Sequence, residues 1–433
     1  MRIVVVNAYV RGNAGDAALL SVCVRHVREA FPYARTVIAG MEDAAVHPDF
    51  EGVENIGSIR RWVADGEVSL LRRVLRKLLV APLAVLALLL PGPAGRALLR
   101  LLPAEARREA DAVSRADLVV SMGGGYLNAR PGLNGHQNVF FVLLPALLAQ
   151  RAGVPVVFAP QSFGPFPARL QRRLVRRALR RSPLVLAREA LSAAMLEECG
   201  LPADRIGRAV DSGFAYAPEA QPDWRARLDT DPGQPLVGLT ARRWLEPAAQ
   251  DGYERALAEV VDRIQAAGHR VVLIPQVSTG YLGDDDILVE RRIAAHCTTP
   301  PLQLDERVDY RELRSLYGEC SLLVGTRFHS VIFALTSGVP CVAIGYEHKT
   351  AGIMAELGLS AKVVPIEEVT ADRLWTLVEP LLGPGAEEYR ALLRDRVPGY
   401  VARAEEFPAM LRALLPATAQ DTARAVAQPQ VSA

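Results

Sequence analysis

No two cysteines in this chain of 433 residues stand in a CxxC spacing; the five present, Cys23, Cys199, Cys297, Cys320 and Cys341, are odd in number and scattered among apolar neighbours. That excludes a disulfide framework and a zinc site built from them, and it reads as buried thiols in a reducing compartment. A surplus of one charge is missing as well. Fifty Lys and Arg against 48 Asp and Glu leave a formal charge of +2, which excludes an overall nucleic-acid-binding balance but leaves room for local basic patches. No apolar run approaches the ~20 residues that span a bilayer; the stretch Leu78–Leu90 stops at 13 and contains Pro82. The opening MRIVVVNAYV is a short strand-like segment without the long apolar core of a signal peptide, so the expectation is a cytoplasmic protein. What the composition does supply is apolar surface: 50% hydrophobic residues and 23% charged ones exclude global disorder and suffice for the cores of two domains.

Short β-branched runs alternate with helical patterns. Ile3–Val6 precedes a glycine loop and a helix over Ala17–Ala30, Leu118–Ser121 precedes three glycines and a helix around Gln137–Gln150, and Val156–Ala159 precedes a helix over Ala168–Arg181. Leu184–Ala187 leads into Glu189–Cys199, which Gly200 closes. After a proline- and glycine-rich stretch the rhythm resumes at Leu236–Thr240, Val271–Ile274, Leu322–Val324 and Val342–Ile344, with helices around Tyr253–Ala267 and Asp286–Ala295. Fully apolar strands that alternate with helices predict α/β folding with parallel sheets. The expected organisation is two Rossmann-like, doubly wound domains facing across a cleft: residues 1–216, a linker 217–235, residues 236–415 with closing helices, and a frayed tail 416–433.

Two segments break the rhythm. An insertion at about 68–104 contains Leu78–Leu90, preceded by Arg72, Arg73, Arg76 and Lys77. It reads either as a block packed on the N-terminal domain or as a basic-flanked element lying in the headgroups of an anionic membrane. Between Ala168 and Arg188 no acidic residue occurs, and seven arginines recur from Arg169 to Arg181 at helical spacing, with Leu170, Leu174, Val175 and Ala178 expected on the other side. A solvated face usually interleaves both charges; this one suits an anionic surface or a phosphorylated substrate.

Polar residues at the carboxyl ends of the strands are the candidates for chemistry. In Asn7–Asp16 (NAYVRGNAGD), Asn13 and Asp16 either cap the helix or touch substrate. Gly123, Gly124 and Gly125, followed by Asn128, would let a ligand approach the backbone closely. The densest cluster is Gly325-Thr326-Arg327-Phe328-His329-Ser330, where a strand passes into a helix. There Arg327 can grip a carboxylate or phosphate, and His329 has the intrinsic pKa for proton transfer near neutrality. Lys349, Arg188, Arg242 and Gln276 follow strand ends in the same way. The other histidines lack metal-ligand spacing, and no metal site is expected.

At these residues the sequence resembles the polysaccharide pyruvyl transferase family. GNAGD, SMGGGYLN, APQSFGPF, AREALSAAMLEECGL, AVDSGFAY, LTARRW, LIPQVS and GTRFHSVIFALTSGVPCVAIGYEHK occur in family order. The resemblance implies a GT-B type fold and transfer of pyruvate from phosphoenolpyruvate, as a cyclic ketal, onto a sugar of a cell-surface polysaccharide or its lipid-linked precursor. By matching motif it implies a donor clamp of Arg188, Arg327 and the backbone of Phe328, with His329 as the catalytic histidine; Arg242, Gln276 and Lys349, read from their places after strand ends, are expected to join them on the donor side. Asn13, Asp16, Gly123, Gly124, Gly125 and Asn128 would face the acceptor. No cofactor is implied, phosphoenolpyruvate being a co-substrate. Gln161-Ser162-Phe163-Gly164-Pro165 departs from the usual QGIGP, and Asp211-Ser212-Gly213 stands where Asp-Pro is common; both bear on the acceptor. Two rival readings are a GT-B glycosyltransferase with a nucleotide-sugar donor, Glu347 serving its donor, and a non-enzymatic partner in glycan assembly.

Overall fold

The computed structural model describes residues 1–9, 12–41, 50–64, 68–90, 92–217, 221–231, 233–279, 284–304 and 308–414. The expected tail 416–433 and parts of the expected linker lie outside them. The chain divides into two compact units, one comprising Met1–Val10, Leu19–Ser212 and Arg403–Ala433, the other Arg11–Ala18 and Gly213–Ala402.

The first unit is built on seven parallel strands: β1 (Arg2–Ala8), β2 (Arg35–Gly40), β3 (Glu54–Asn55), β4 (Leu118–Ser121), β5 (Val156–Gln161), β6 (Leu184–Ala187) and β7 (Gly207–Arg208), in the order β3-β2-β1-β4-β5-β6-β7. Successive side chains of a strand point to opposite faces. Val4 and Val6 therefore join one apolar cluster while Ile3 and Val5 join another. On the second face the helix Ala14–Ala30 contributes Leu19, Leu20, Cys23, Val24 and Val27, and the late helix Phe407–Ala413 adds Phe407 and Leu411. The structure thus places this last helix with the first unit, not with the second as the sequence division has it.

The first face is covered by the helix Leu133–Arg151 together with the insertion, which packs against it. The insertion's apolar run is part of a 20-residue helix, Leu70–Leu89, which continues through Pro82 and is capped by Ser69. Only one stripe of it, including Val80, Ala84 and Ala87, is buried in the cluster. Among the described residues no helix is long and apolar enough to cross a membrane. The helix Ala104–Ser114 brings in Glu109, whose carboxylate accepts the Ile59 N–H at 2.6 Å. Burial pushes the Glu109 carboxyl up to about 8, against the pull of that hydrogen bond. The folded state holds the proton while the unfolded chain releases it near the ordinary value of 4.5. Its contribution to stability is therefore complete in acid and lost as pH rises from about 4.5 to about 8. Glu109→Gln is expected to flatten the fall in unfolding temperature over that range; an unchanged slope would show that other groups set it.

The second unit repeats the pattern with β8 (Leu236–Thr240), β9 (Arg270–Leu273), an antiparallel pair β10 (Ser278–Thr279) and β11 (Asp284–Asp285), then β12 (Leu302–Gln303), β13 (Leu322–Gly325), β14 (Cys341–Gly345) and β15 (Val363–Pro365). The six-stranded parallel order is β12-β9-β8-β13-β14-β15. Each sheet therefore reverses direction beside its first strand, between β1 and β4 and between β8 and β13, and such switch points are where open α/β sheets receive ligands. The stretch read as a linker is not bare chain. Trp224 is buried in this unit, its indole N–H donating to Ser315 Oγ at 2.7 Å; just before the linker, Tyr216, placed by the sequence reading in the N-terminal domain, also belongs to this unit, its hydroxyl donating to the Tyr310 carbonyl at 3.0 Å.

Candidate active site at the carboxyl edges of the sheets

In the second unit, Thr240 at the end of β8 ties the switch point together. Its Oγ1 accepts the N–H groups of Thr326 at 3.0 Å and Arg327 at 3.3 Å and lies 2.9 Å from Ser330 Oγ. This fixes the start of the helix Phe328–Thr336, whose first turn carries His329. The imidazole is half-buried, edge-on to Phe328 with centroids 5.1 Å apart and tilted over Phe333 at 6.2 Å.

The GNAGD loop supports it from below. Ala14 N–H donates to the Gln276 carbonyl at 2.9 Å, Ser278 N–H to the Gly12 carbonyl at 2.8 Å, and Asn13 forms an antiparallel bridge with Val277. A Cβ on Gly15 would fall 2.1 Å from His329 Nδ1, so glycine is there because the ring needs the space. Asn13 Oδ1 accepts the N–H groups of Gly15 at 3.1 Å and Asp16 at 3.4 Å, while its amide donates to Asp16 Oδ2 at 2.7 Å. Of the two readings of these residues the structure displays the cap, and it groups them with His329 instead of with the triple-glycine loop.

Arg327 sits differently from the sequence expectation. Its Nε lies 3.1 and 3.0 Å from the two oxygens of Asp286, and an Nη donates to the same carboxylate. A buried guanidinium needs a buried counter-charge, and Asp286 also receives the N–H groups of Gln276 and Val277 at 3.1 and 3.0 Å. Gln276, expected toward the donor, instead donates its amide to the Tyr317 hydroxyl at 2.6 Å. Glu290 is buried beside them; burial, then Asp286, push its carboxyl well above the ordinary range against the pull of Arg327. Tyr253 completes the layer, 2.8 Å from Thr326 Oγ1. Asp286, Glu290, Tyr317 and Tyr253 were missed as site residues because an acid opening a helix reads as a cap and a tyrosine at helical spacing reads as core.

The segments after β8 and β14 meet in an aromatic and cationic group. Arg242 lies over the rings of Tyr346 and Trp244, 4.1 and 4.7 Å from their centroids, and Lys349 Nζ is 5.3 Å from the Phe328 ring and 2.8 Å from Glu347. Burial works to raise the Glu347 carboxyl, but Lys349 and Arg242 outweigh it and hold it below the ordinary glutamate value.

In the first unit, Arg188 follows β6 and is 1% exposed. Its Nε donates to Ser162 Oγ at 2.9 Å and lies 3.4 Å from Glu189, and an Nη donates to Asp211. Two buried carboxylates thus hold the guanidinium that the resemblance assigns to the donor. The triple-glycine loop has a packing reason beyond any ligand: a Cβ on Gly123 would meet the Pro160 carbonyl oxygen at 2.4 Å. Gly124 has φ +146°, which disfavours a side chain. Gly125 receives the Asn128 amide on its carbonyl at 2.6 Å. The predicted residues fall into two groups: Asn13, Asp16, Arg242, Gln276, Arg327, Phe328, His329 and Lys349 in the second unit, and Gly123, Gly124, Gly125, Asn128 and Arg188 in the first.

Comparison with known proteins agrees with this architecture. The amylovoran biosynthesis protein AmsJ of Erwinia amylovora is 28% identical over 272 residues, 58% of this chain and 61% of that protein. The chain therefore matches about three-fifths of that relative's length. Among solved structures, a putative UDP-N-acetylglucosamine 2-epimerase from Listeria monocytogenes superposes with TM-score 0.56 at 13% identity, covering 100% of this chain and 99% of that one. Anabaena HepE in complex with UDP-glucose gives 0.54 at 15%, covering 96% and 99%. At such identities the likeness shows the fold alone, two Rossmann-like units of the GT-B class. The family model for polysaccharide pyruvyl transferase matches residues 13–348, from the Asn13 cap to the first residue of the helix His348–Glu356, and the chain belongs to that family.

Proposed function

We propose that the protein transfers the pyruvyl group of phosphoenolpyruvate onto two hydroxyls of one sugar, as a cyclic ketal, during assembly of a cell-surface polysaccharide or its lipid-linked precursor. The observation that supports this most is the placing of His329 in the first turn of a helix at the switch point of the second sheet, on a floor cleared by Gly15. The donor carries a carboxylate and a phosphate, which suit the helix-end N–H groups and the Arg242 and Lys349 cations nearby. Arg327 acts as a positioning residue: its bond to Asp286 sets the backbone from which Phe328 and His329 project. The part the resemblance gives Arg188 in donor binding is recast in the same way, with Asp211 and Glu189 fixing it in the loop after β6.

The chemistry balances without an oxidant. A proton delivered to the methylene carbon makes the methyl group and leaves an oxocarbenium-like C2; one sugar hydroxyl attacks C2, the C2–O bond to phosphate breaks, and the second hydroxyl closes the ketal. Of the two hydroxyl protons released, one is counted in the new methyl and one leaves with phosphate. His329 moves these protons, a role in which positioned acid–base groups are effective. Five free thiols, four of them buried and Cys297 partly so, suit a cytoplasmic setting, and the basic, apolar insertion of the first unit suits contact with the inner face of an anionic membrane.

Phosphoenolpyruvate at about 100 times its Kd is expected to add about 2.7 kcal/mol of stability, read as a rise in unfolding temperature, and to release phosphate once a competent sugar acceptor is added. UDP is expected to leave the unfolding temperature unchanged. A rise with UDP and none with phosphoenolpyruvate would replace this reading with the nucleotide-sugar transferase.

A further inference from the structure

The first unit contains an apolar groove of about 630 Å³, formed by the helices Leu70–Leu89, Leu133–Arg151 and Arg169–Leu179. That volume lies within the range of small-molecule sites, roughly 300–1,000 Å³. Its walls include Leu78, Pro82, Val85, Phe140 and Leu174, and Lys77 and Arg177 stand among the lining residues. Leu170, expected on the buried side of the arginine stripe, lies 54% exposed on this wall, because the helix turns Val175 and Ala178 to the core instead.

The groove is open to the surface at Leu89 and Leu133, 73% and 72% exposed, and the first helix carries further apolar surface beyond it at Leu71, 69% exposed. A monomer rarely shows so large a contiguous patch without a use for it. Charge narrows that use. None of the three helices contains an aspartate or glutamate, and the whole stretch from residue 118 to residue 188 contains none. Arg72, Arg73, Arg76 and Lys77 lie along the first helix, and Arg173, Arg176 and Arg177 along the third. Lys77 Nζ donates to Gln137 at 3.1 Å, so its ammonium is held toward the second helix instead of trailing in solvent. Apolar walls with two cations and no acid among the lining residues complement a hydrocarbon chain that ends in an anion.

We propose that this groove is a lipid site, taking the hydrocarbon chain of an anionic membrane phospholipid while Lys77 and Arg177 meet its phosphate. The inference rests on the reading that the first unit works at a membrane and makes it specific: one chain is drawn out of the leaflet into a defined groove, and the exposed leucines sit among its neighbours.

The test uses the full chain and monomeric lysophosphatidylglycerol, with dodecyl maltoside and inorganic phosphate as controls, followed by titration calorimetry. One lipid is expected to bind per chain, dodecyl maltoside more weakly and phosphate alone not at all. Lys77→Gln and Arg177→Gln are each expected to weaken binding about fivefold. Val85→Asp, at an exposed position on the wall that needs no repacking, is expected to weaken it at least about tenfold, with an unchanged unfolding temperature as the check on folding. Failure of the lipid to bind, or binding indifferent to Val85→Asp, overturns the groove. So does sedimentation showing that Val85→Asp merely separates two copies of the chain. Adsorption to vesicles containing phosphatidylglycerol tests the membrane reading on its own: if Val85→Asp adsorbs as the parent does while losing the single lipid, the groove stands as a distinct site. If the parent binds the single lipid and no vesicle, the membrane reading falls while the groove remains.

Discussion

Alanine at His329 is expected to lower the rate of pyruvyl transfer by about 10²–10⁴-fold, the usual share of a positioned acid–base group, and to leave the unfolding temperature nearly unchanged. The ring is half-buried and packs on Phe328, Phe333 and the Gly15 backbone, but the bonds that fix this helix start run through Thr240 and Arg327 and survive its removal. Phosphate release from phosphoenolpyruvate in the presence of acceptor is the measurement, with the thermal shift on adding phosphoenolpyruvate as its companion. Retention of that shift alongside lost turnover would place the imidazole in the chemical step. Full turnover in the variant would remove His329 from the mechanism, and with it the main support for the proposed reaction.

Arg188→Ala is expected to act in the opposite sense, on stability first. Its guanidinium is buried with the carboxylates of Asp211 and Glu189, and deleting it leaves both acids in a dry interior without their cation. Breaking such a pair costs about 3–5 kcal/mol, and for a unit of this size each kcal/mol moves the unfolding temperature by about 2–4 °C. A fall of about 6–20 °C should follow in a calorimetric scan, carried by the first unit. A variant that melts within a degree or two of the parent yet loses affinity for phosphoenolpyruvate would return Arg188 to the donor-binding role implied by family resemblance.

The strands that form the middle of each sheet were legible because burial on both faces demands unbroken apolar runs; Leu118–Ser121, Leu184–Ala187 and Leu236–Thr240 fall where those runs do. The two-residue strands β3, β7 and β12 were not, since they are defined by backbone pairing to a neighbour and bury little of their own side chains. The candidate site divides in the same way. Residue types and their place at strand ends pointed to Arg327 and His329, but the partner of Arg327 lies 41 positions earlier, at the head of a helix where an acid has an ordinary explanation. The glycines of SMGGG were read as room for a ligand at the backbone; of the three only Gly124 has a left-handed φ, and for Gly123 a Cβ is barred by the carbonyl of Pro160, which only the register of β4 beside β5 brings near.

The small segment from Gly12 to Ala18 has a practical consequence for anyone dissecting this protein. It belongs with the second unit although the first unit's chain surrounds it in sequence, and it supplies the bare backbone on which the imidazole rests. An excised C-terminal half beginning near residue 213 would keep Arg327 and Asp286 but leave its histidine over an empty seat, so such a fragment is a poor stand-in for the intact chain, and supplying the missing heptapeptide in trans is the natural first attempt at repair.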